Sequence, residues 1–306
     1  AGTSADGTVT PKKNAMGGFD EKDVRIQLLA TPTEQLTVLA SAHARNYEGT
    51  STLFLRGALK KGSNSSTAPR DSVAFDEANN NPQAYDTQGT SLNIAYDFGP
   101  VTLTSISAYE TTNGYSRGDI DGGVAGTGPG FIPFDSDTKD GIDDLDQYTQ
   151  EVRLASDTEG PLSWQVGGYY FKSDMLLTTD AGFSKATLNH KNTAWAGFGQ
   201  VAYQVTPQLK ITGGARYTDD KKTMTVVGST APEVSVSDSK VSWDLSAFYD
   251  VTDDFSLYAR AAHGFRGPTI QGRDIVFFSP ASVAKSETIQ SYEVGFKSEL
   301  LDRRIR

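Results

Sequence analysis

The sequence predicts an all-β fold, an antiparallel up-and-down barrel whose strands cross a membrane. Apolar residues recur at every second position through much of the chain, and short turns alternate with long polar loops. Most predicted strands have about 9–13 residues, whereas strands of soluble proteins average about 5–6 and a tilted strand needs about 9–11 to cross a bilayer. These three features together are typical of membrane β-barrels.

Residues 242–297 show the pattern most clearly. Trp243, Leu245 and the odd positions up to residue 251 are apolar, and their neighbours are mostly polar. A polar turn follows at residues 252–254, and the alternation resumes at Phe255. A period of two residues indicates β-strands, because successive side chains point to opposite faces. The two runs therefore predict a hairpin, and residues 287–297 predict a further strand.

The rest of the chain has the same rhythm, and we expect roughly a dozen strands in all. Tight turns at one end of the sheet are predicted to begin near Thr31, Phe98, Asp157, Thr206, Thr252 and Leu301. Long loops at the other end are predicted over residues 47–85, 117–145, 179–191, 228–238 and 264–284. A propeller blade would instead need four short strands per period, and a sandwich would mix short and long loops at each end.

Composition excludes several classes of protein. The chain has 306 residues, a net charge of -10 and no cysteine. Disulfides, zinc–thiolate sites and thiol catalysis are therefore excluded, and an acidic chain is a poor partner for nucleic acid, which attracts basic surfaces. The mean hydropathy of -0.42 is compatible with a membrane barrel, since only alternate strand positions need to be apolar.

The alternation assigns side chains to the two faces of the predicted barrel wall. The outward, lipid-facing set is Leu36, Val38, Val201, Tyr203, Leu209, Ile211, Trp243, Leu245, Phe255, Leu257, Tyr292, Val294 and Phe296. The inward, lumen-facing set is Thr37, Ser41, Arg45, Glu151, Arg153, Lys210, Thr212, Arg216, Asp244, Ser246, Arg260 and Glu293. Charge on the inward face fits a wet or plugged lumen. Two interpretations of the inward charges stay open: plug docking or a ligand path, and lateral ion pairs that stiffen the wall.

Several stretches resemble the barrel of TonB-dependent outer-membrane receptors. They are residues 148–156 (YTQEVRLAS), 213–220 (GGARYTDD), 258–269 and 292–297 (YEVGFK). The resemblance covers most of the chain from about residue 146 onward, and the set of motifs in this order is more specific than any single one.

The resemblance implies a barrel of 22 strands in the outer membrane of a Gram-negative bacterium, with an N-terminal plug inside it. It also implies active uptake of a scarce small molecule, most often an iron-siderophore complex. The expected partners are the TonB complex through the plug, outer-membrane lipid and a metal chelate, and no nucleic acid. Because no plug-like segment, TonB box or terminal aromatic residue is recognisable, we expect residues 1–306 to be part of the barrel domain, without the plug and the C-terminal strands.

The candidate ligand-binding residues are Tyr115, Arg117 and Arg266, which lie in or beside the longest predicted loops. Loops on a rigid scaffold usually carry recognition. Arg266 has a second interpretation as part of a structural corner shaped by Gly267 and Pro268. We expect no catalytic residue, no resident cofactor and no enzymatic activity, because the sequence contains no nucleophile motif.

Two metal sites are considered and disfavoured. Residues 135–146 are acidic like a calcium loop, but the spacing before Gly141 is one residue too long and Lys139 replaces a ligand. Residues 265–268 resemble a motif of haem receptors, but no histidine follows them, and His263 is predicted at the barrel rim. The alternatives to a receptor are a passive porin, a barrel-type outer-membrane enzyme and a soluble adhesion protein.

Overall fold

The computed structural model describes residues 17–51, 59–66, 81–120, 137–157 and 159–299. Its strands are β1 (Phe19–Ala30), β2 (Leu36–Thr50), β3 (Pro82–Asp97), β4 (Val101–Asp119), β5 (Asp137–Ser156), β6 (Leu162–Asp180), β7 (Lys185–Gln204), β8 (Leu209–Val226), β9 (Val234–Thr252), β10 (Phe255–Arg266), β11 (Thr269–Gln271), β12 (Ser282–Ala284) and β13 (Glu287–Ser298). A 3-10 helix covers Arg273–Phe277. Within these ranges no helix is long and apolar enough to cross a membrane.

Ten consecutive strands and β13 form one antiparallel sheet of 11 strands, in the order β1 to β10 and then β13. Strands β1 to β10 pair with their neighbours in the chain, and β13 pairs with β10 after the intervening loop, so the predicted up-and-down topology is confirmed. The sheet is open: β1 and β13 are its two edges and do not pair with each other. It is therefore a partial barrel wall, because an unpaired strand edge is not tolerated in hydrocarbon.

The predicted tight turns are found where they lie in the described residues. Strand β9 ends at Thr252 and β10 begins at Phe255, as the alternation predicted. The predicted turn near Leu301 lies outside the described residues.

The predicted strand lengths were too short, and the predicted long loops were partly wrong. Strands β4 to β9 have 18 to 20 residues. They extend into the predicted loops 117–145, 179–191 and 228–238, and β2 and β3 extend into the predicted loop 47–85. Residues 52–58, 67–80 and 121–136 of these loops lie outside the described residues. The reason is physical: beyond the membrane the outer face meets water and loses its apolar alternation, while the hydrogen-bonded ladder continues.

The outer face of the sheet is apolar and uncovered. Leu245, Leu257 and Val294 are 53%, 43% and 84% exposed. They share one face, because the register places Leu245 opposite Ala261, Leu257 opposite Phe296 and Ala259 opposite Val294. Such exposure of large apolar side chains fits a surface that is covered by lipid.

Two rows of aromatic residues border this apolar face. The row toward the long loops, which we call the upper girdle, is Tyr109, Tyr148, Tyr170, Trp195, Tyr217 and Trp243. The row toward the tight turns includes Tyr96, Phe98, Tyr203, Tyr249, Phe255 and Phe296. Neighbours within a row touch, with ring centroids 6.4 Å apart for Tyr148 and Tyr170 and 5.4 Å apart for Trp195 and Tyr217. Aromatic girdles at both interfaces are a property of membrane barrels.

The spacing of the two girdles matches a bilayer. Trp195 and Tyr203 lie eight positions apart on β7. At roughly 3.3 Å per residue and a strand tilt of about 40°, eight positions correspond to an apolar band about 20 Å tall. Membrane barrels have a band of about 25 Å. The upper girdle also steps along the sheet, since Trp243 pairs with Ala215 rather than with Tyr217. Such steps indicate tilted strands.

Candidate functional site

The inner face carries a cluster of rings and charge around Arg216 of β8. The guanidinium carbon lies 5.2 Å from the ring centroid of Tyr169 and 5.7 Å from that of Phe198, and Nε donates to the hydroxyl of Thr218 at 3.1 Å. Gly167 leaves room for this arrangement, because a Cβ there would lie 2.5 Å from Cζ of Phe198. The two rings hold the cation in a fixed place on the lumen side.

Other charges on the inner face are paired along the wall. Nη1 of Arg153 lies 3.6 Å from Oε1 of Glu151 on the same strand, and Arg260 forms an ion pair with Asp244 of the neighbouring strand. These two pairs support the interpretation of lateral ion pairing. Arg216 differs, since its described partners are aromatic rings and a hydroxyl. A depression of about 490 Å³ is lined in part by Arg216, Asp244 and Arg260.

Toward the long loops the inner face changes from polar to apolar. Met224 lies eight positions after Arg216 in a strand without a register shift, so both side chains are on the inner face. The apolar inner-face residues at this end are Leu177, Leu188, Met224, Val226, Val234 and Val236. They lie above the upper girdle, where water would surround both faces, and they therefore need a cover.

The cover is the segment of residues 267–286, which we call the inward loop. It folds across the inner face, where β11 contacts β8 and β9 and the 3-10 helix contacts β6 and β7. Its Ile270 and Val276 are 6% and 0% exposed and pack in one cluster with Leu188 and Met224. Fully burying one such side chain contributes about 1.5–3 kcal/mol, so the cluster holds the loop inside the mouth of the barrel.

Gly272 allows the close approach of the inward loop. A Cβ at Gly272 would lie 2.4 Å from Sδ of Met224 and 2.6 Å from Cδ1 of Leu188. The backbone there has φ -88° and ψ -20°, which any residue adopts, so glycine is needed for space and not for conformation.

Polar contacts anchor the inward loop at Arg273, in its first half, and at Ser286, its last residue. Nε of Arg273 lies 3.6 Å from Oδ1 of Asp140 on β5. The hydroxyl of Ser286 donates to the carboxylate of Asp238, and this hydrogen bond holds the pKa of Asp238 below its usual range. Asp238 lies five residues beyond Trp243 of the upper girdle, outside the membrane.

A cluster of polar side chains, which we call the polar cluster, lies on the inner face between the inward loop and the Arg216 cluster. Oδ1 of Asn192 and Oδ1 of Asp220 are buried there without a hydrogen-bond partner among the described residues. Lys222 forms an ion pair with Asp220, and burial lowers the pKa of His190, which lies five residues beyond Trp195. Two buried acceptors without donors are costly, and a ligand or another segment of the protein that donates hydrogen bonds would satisfy them.

The structure does not bring the three predicted ligand-binding residues together. Tyr115 and Arg117 lie on β4, whereas Arg266 ends β10, with five strands between them. Arg266 forms a 2.6 Å ion pair with Glu287 of β13, and both side chains are exposed. Tyr115 pairs with Ala84 of β3. Ala84 lies eight positions before Leu92, so both face outward, and Tyr115 therefore lies on the outer face, above the upper girdle. Their roles in ligand binding remain predictions.

The acidic stretch 135–146 is a strand rather than a calcium loop from Asp137 onward; Asp135 and Ser136 lie outside the described residues. Its carboxylates have separate partners: Asp140 accepts from Thr179, Asp143 from Thr178 and Asp146 from Tyr109. Across the described part of the chain no group of three or more His, Asp or Glu is placed to hold a metal ion. His263 stacks on Trp243 in the girdle, with ring centroids 6.4 Å apart.

The open sheet of tilted strands, the apolar band between two aromatic girdles and the polar inner face define the class as an outer-membrane β-barrel wall. The sequence matches the family model described as TonB dependent receptor-like, beta-barrel, over residues 32–306. The chain therefore belongs to the TonB-dependent receptors, and its place is the outer membrane of a Gram-negative bacterium. No curated protein sequence matches it.

Solved structures share this fold at low sequence identity. The ferric yersiniabactin uptake receptor FyuA from Yersinia pestis superposes with a TM-score of 0.74 and 18% identity, over 94% of this chain and 44% of that one. The siderophore receptor PiuA from Acinetobacter baumannii gives 0.71 and 12% identity, over 94% and 49%. The ferric preacinetobactin receptor BauA from the same species gives 0.68 and 13%, over 92% and 45%. The chain thus spans less than half the length of each.

The sequence prediction missed the residues of the polar cluster. Asn192 directly follows the predicted loop 179–191, and Asp220 is the last residue of the motif 213–220, but nothing in the sequence marks either residue as buried. Leu188, Met224 and Val236 did indicate something unusual in the sequence. They are apolar, although they occupy inner-face positions, where a strand that lines a wet lumen should be polar. Such a reversal indicates that another segment covers the inner face.

Proposed function

We propose that the protein to which this chain belongs is an energised transporter that takes up a scarce ligand across the outer membrane, with an iron-siderophore complex as the ligand. Family membership supports the receptor class, and structures of the same fold include receptors named for ferric siderophores. These similarities are too low in sequence identity to transfer a ligand, so the ligand class rests on the inner face.

The observation that carries the proposal is the composition of the mouth on its inner side. Arg216 is held between Tyr169 and Phe198, and above it lie the buried free acceptors of Asn192 and Asp220. A metal chelate presents flat rings, anionic oxygens and amide or hydroxyl donors. Rings and a guanidinium suit the first two features, and unpaired acceptors suit the third.

We further propose that this chain supplies part of the wall of a larger barrel, with a plug inside it. Both edges of the described sheet are open, and the chain spans 44% of the first solved structure that shares the fold. Arg216 lies one position from Tyr217 of the girdle, at membrane height, so it faces the volume that a plug would fill. TonB is then the partner through the plug.

A passive channel is the second candidate function, since a polar lumen would serve it equally well. The inward loop argues against it, because the loop buries Ile270 and Val276 against the inner face and narrows the mouth. A channel would also work without energy input, which gives a direct test.

We expect cells that depend on the full-length gene to grow on at least one ferric chelate under iron starvation, and to stop when TonB is deleted. Uptake of the radioactive iron chelate measures this, with cells that lack the gene as the control. Uptake that continues unchanged without TonB would identify a channel instead. Uptake of none of a panel of catecholate, hydroxamate and carboxylate chelates would refute the ligand class.

Replacing Asn192 by leucine in the full-length protein should weaken binding of the transported chelate about tenfold, because one hydrogen bond to a buried acceptor contributes about 1–1.5 kcal/mol. Fluorescence titration of the purified receptor measures the affinity. The matched control is Asn189→Leu, on the opposite face of the same strand, where Asn189 donates to Asp174. Equal weakening by both substitutions would show that Asn192 acts only through the stability of β7.

A further inference from the structure

We propose that the outer side of the β4–β7 wall, above the upper girdle, carries a binding site for a phosphorylated saccharide of the membrane's own glycolipid. The site is a pocket of about 550 Å³. Its polar lining includes Tyr115, Lys139, Asp143, Thr178, Asp180 and Lys185. The site is separate from the polar cluster beneath the inward loop, because the wall lies between them.

The register places a row of charged side chains across this pocket. Arg117 pairs with Lys139, Lys139 with Asp180, and Asp180 with Lys185. Directly paired residues of adjacent strands share a face, so Asp180 stands between Lys139 and Lys185. Asp143 also lines the pocket, and Arg117 lies beside it outside the lining. These side chains face outward, because Asp180 lies ten positions after Tyr170 of the girdle in a strand without a register shift toward β7.

The two lysines of this pocket have no close carboxylate partner in the described part of the wall. Among the described residues neither the ammonium of Lys139 nor that of Lys185 has a carboxylate within 4.0 Å, and both side chains are exposed. The Lys139 ammonium lies 4.4 Å from the ring centroid of Tyr115, and Asp180 accepts from the backbone N–H of Gly182 at 2.9 Å. The two lysines are therefore available to an external anion.

The other groups of the pocket suit a sugar. Thr178 and Thr187 present hydroxyls 2.9 Å apart, and the carboxylate of Asp143 accepts from Thr178. Carboxylates and hydroxyls together bind the hydroxyl groups of a saccharide, and an aromatic ring beside them contacts its apolar face. Lysine ammoniums bind phosphate as point charges. The combination fits a phosphorylated sugar better than free phosphate.

The height of the site identifies the source of the sugar. Asp180 lies ten positions beyond Tyr170, which is about 25 Å above the girdle at roughly 3.3 Å per residue and a tilt of about 40°. That is beyond the lipid phosphates and at the level of the sugar chain that the outer-leaflet glycolipid carries. In the membrane, an outward-facing pocket at this height lies beside the sugar chains of the glycolipid.

The test is binding of the phosphorylated core oligosaccharide, released from lipopolysaccharide, to the purified full-length receptor. Lys139→Gln with Lys185→Gln should weaken binding about 10- to 100-fold, which is about 1.4–2.7 kcal/mol in total for two exposed charges. The matched control is Lys172→Gln with Lys221→Gln, two exposed lysines of the same outer face nearer the girdle. The control pair should change the affinity less than twofold.

Four results would overturn the proposal. The first three are unchanged binding by the Lys139 and Lys185 variant, equal weakening by the control pair, and equal affinity for the oligosaccharide after its phosphates are removed. Inorganic phosphate that displaces the oligosaccharide at similar concentration would also overturn it, because the site would then recognise a free anion. Heat-modifiable migration on gels confirms that each variant is folded, and chelate uptake should be the same in all of them.

Discussion

Replacing Val166 by arginine in the full-length protein is expected to lower the free energy of unfolding by about 2–4 kcal/mol. Val166 is 48% exposed on the outer face, and it lies four positions after Leu162 and four before Tyr170 of the girdle. It is therefore close to the middle of the apolar band, where a guanidinium loses its water and finds no partner.

The matched control for Val166 is Gln165→Arg, one position earlier on the same strand. Gln165 faces the inner depression, where a guanidinium keeps contact with water, so this change should cost less than about 1 kcal/mol. Urea unfolding in phospholipid vesicles, followed by tryptophan fluorescence, measures both variants. Similar costs for the two substitutions would mean that lipid does not cover the face that carries Val166.

Val166 and Gln165 lie on opposite faces of the wall, and the alternation of apolar and polar residues predicts such faces directly from the sequence. Alternation is a local property, and inside the membrane the environment of each face is uniform. The turn between Thr252 and Phe255 and the outward positions of Leu245 and Leu257 were therefore predictable without any knowledge of distant contacts.

Above the membrane the same reasoning failed for a physical reason. Both faces of β5 meet polar surroundings between Lys139 and Asp146, so the chain has no reason to keep an apolar period there. The hydrogen-bonded ladder with β4 and β6 nevertheless continues, because pairing satisfies backbone groups whatever the side chains are. The polar sequence predicts a loop, whereas the structure has a strand that continues into water.

The position of the inward loop could not be predicted from local patterns. It depends on residues far apart in the chain, because Ile270 and Val276 of the loop join one buried cluster with Leu188 and Met224 of the sheet. The apolar inner-face residues indicate that a cover exists, but nothing near them in the sequence indicates which segment provides it. Only the match between an apolar inner face and an apolar loop assigns the loop to the inside, and that match requires the register of β6 to β9.

Gly272→Val in the full-length protein is expected to release the inward loop from the inner face. The new side chain would occupy the space of Met224 and Leu188, which are 1% and 3% exposed and cannot move into solvent. Overpacking of this kind costs about 1–3 kcal/mol. Amide hydrogen exchange should therefore become about 10-fold faster or more for Phe278 and Ser279, whose N–H groups donate to backbone oxygens of the loop itself.

Two further variants separate steric release from a general weakening of the loop. Ser279→Val places the same side chain on an exposed position of the loop and should leave the exchange rate of the Phe278 amide unchanged. Met224→Ala combined with Gly272→Val removes the group that a Cβ at position 272 would approach most closely, so it should restore part of the protection that Gly272→Val removes alone. Without such a rescue, the close contact would not be what holds the loop. With it, the chelate affinity of the three variants shows whether a seated loop is needed for binding, because Asp220 of the polar cluster lies beside Gly267 of the loop, where a Cβ would be 2.1 Å from Oδ2 of Asp220.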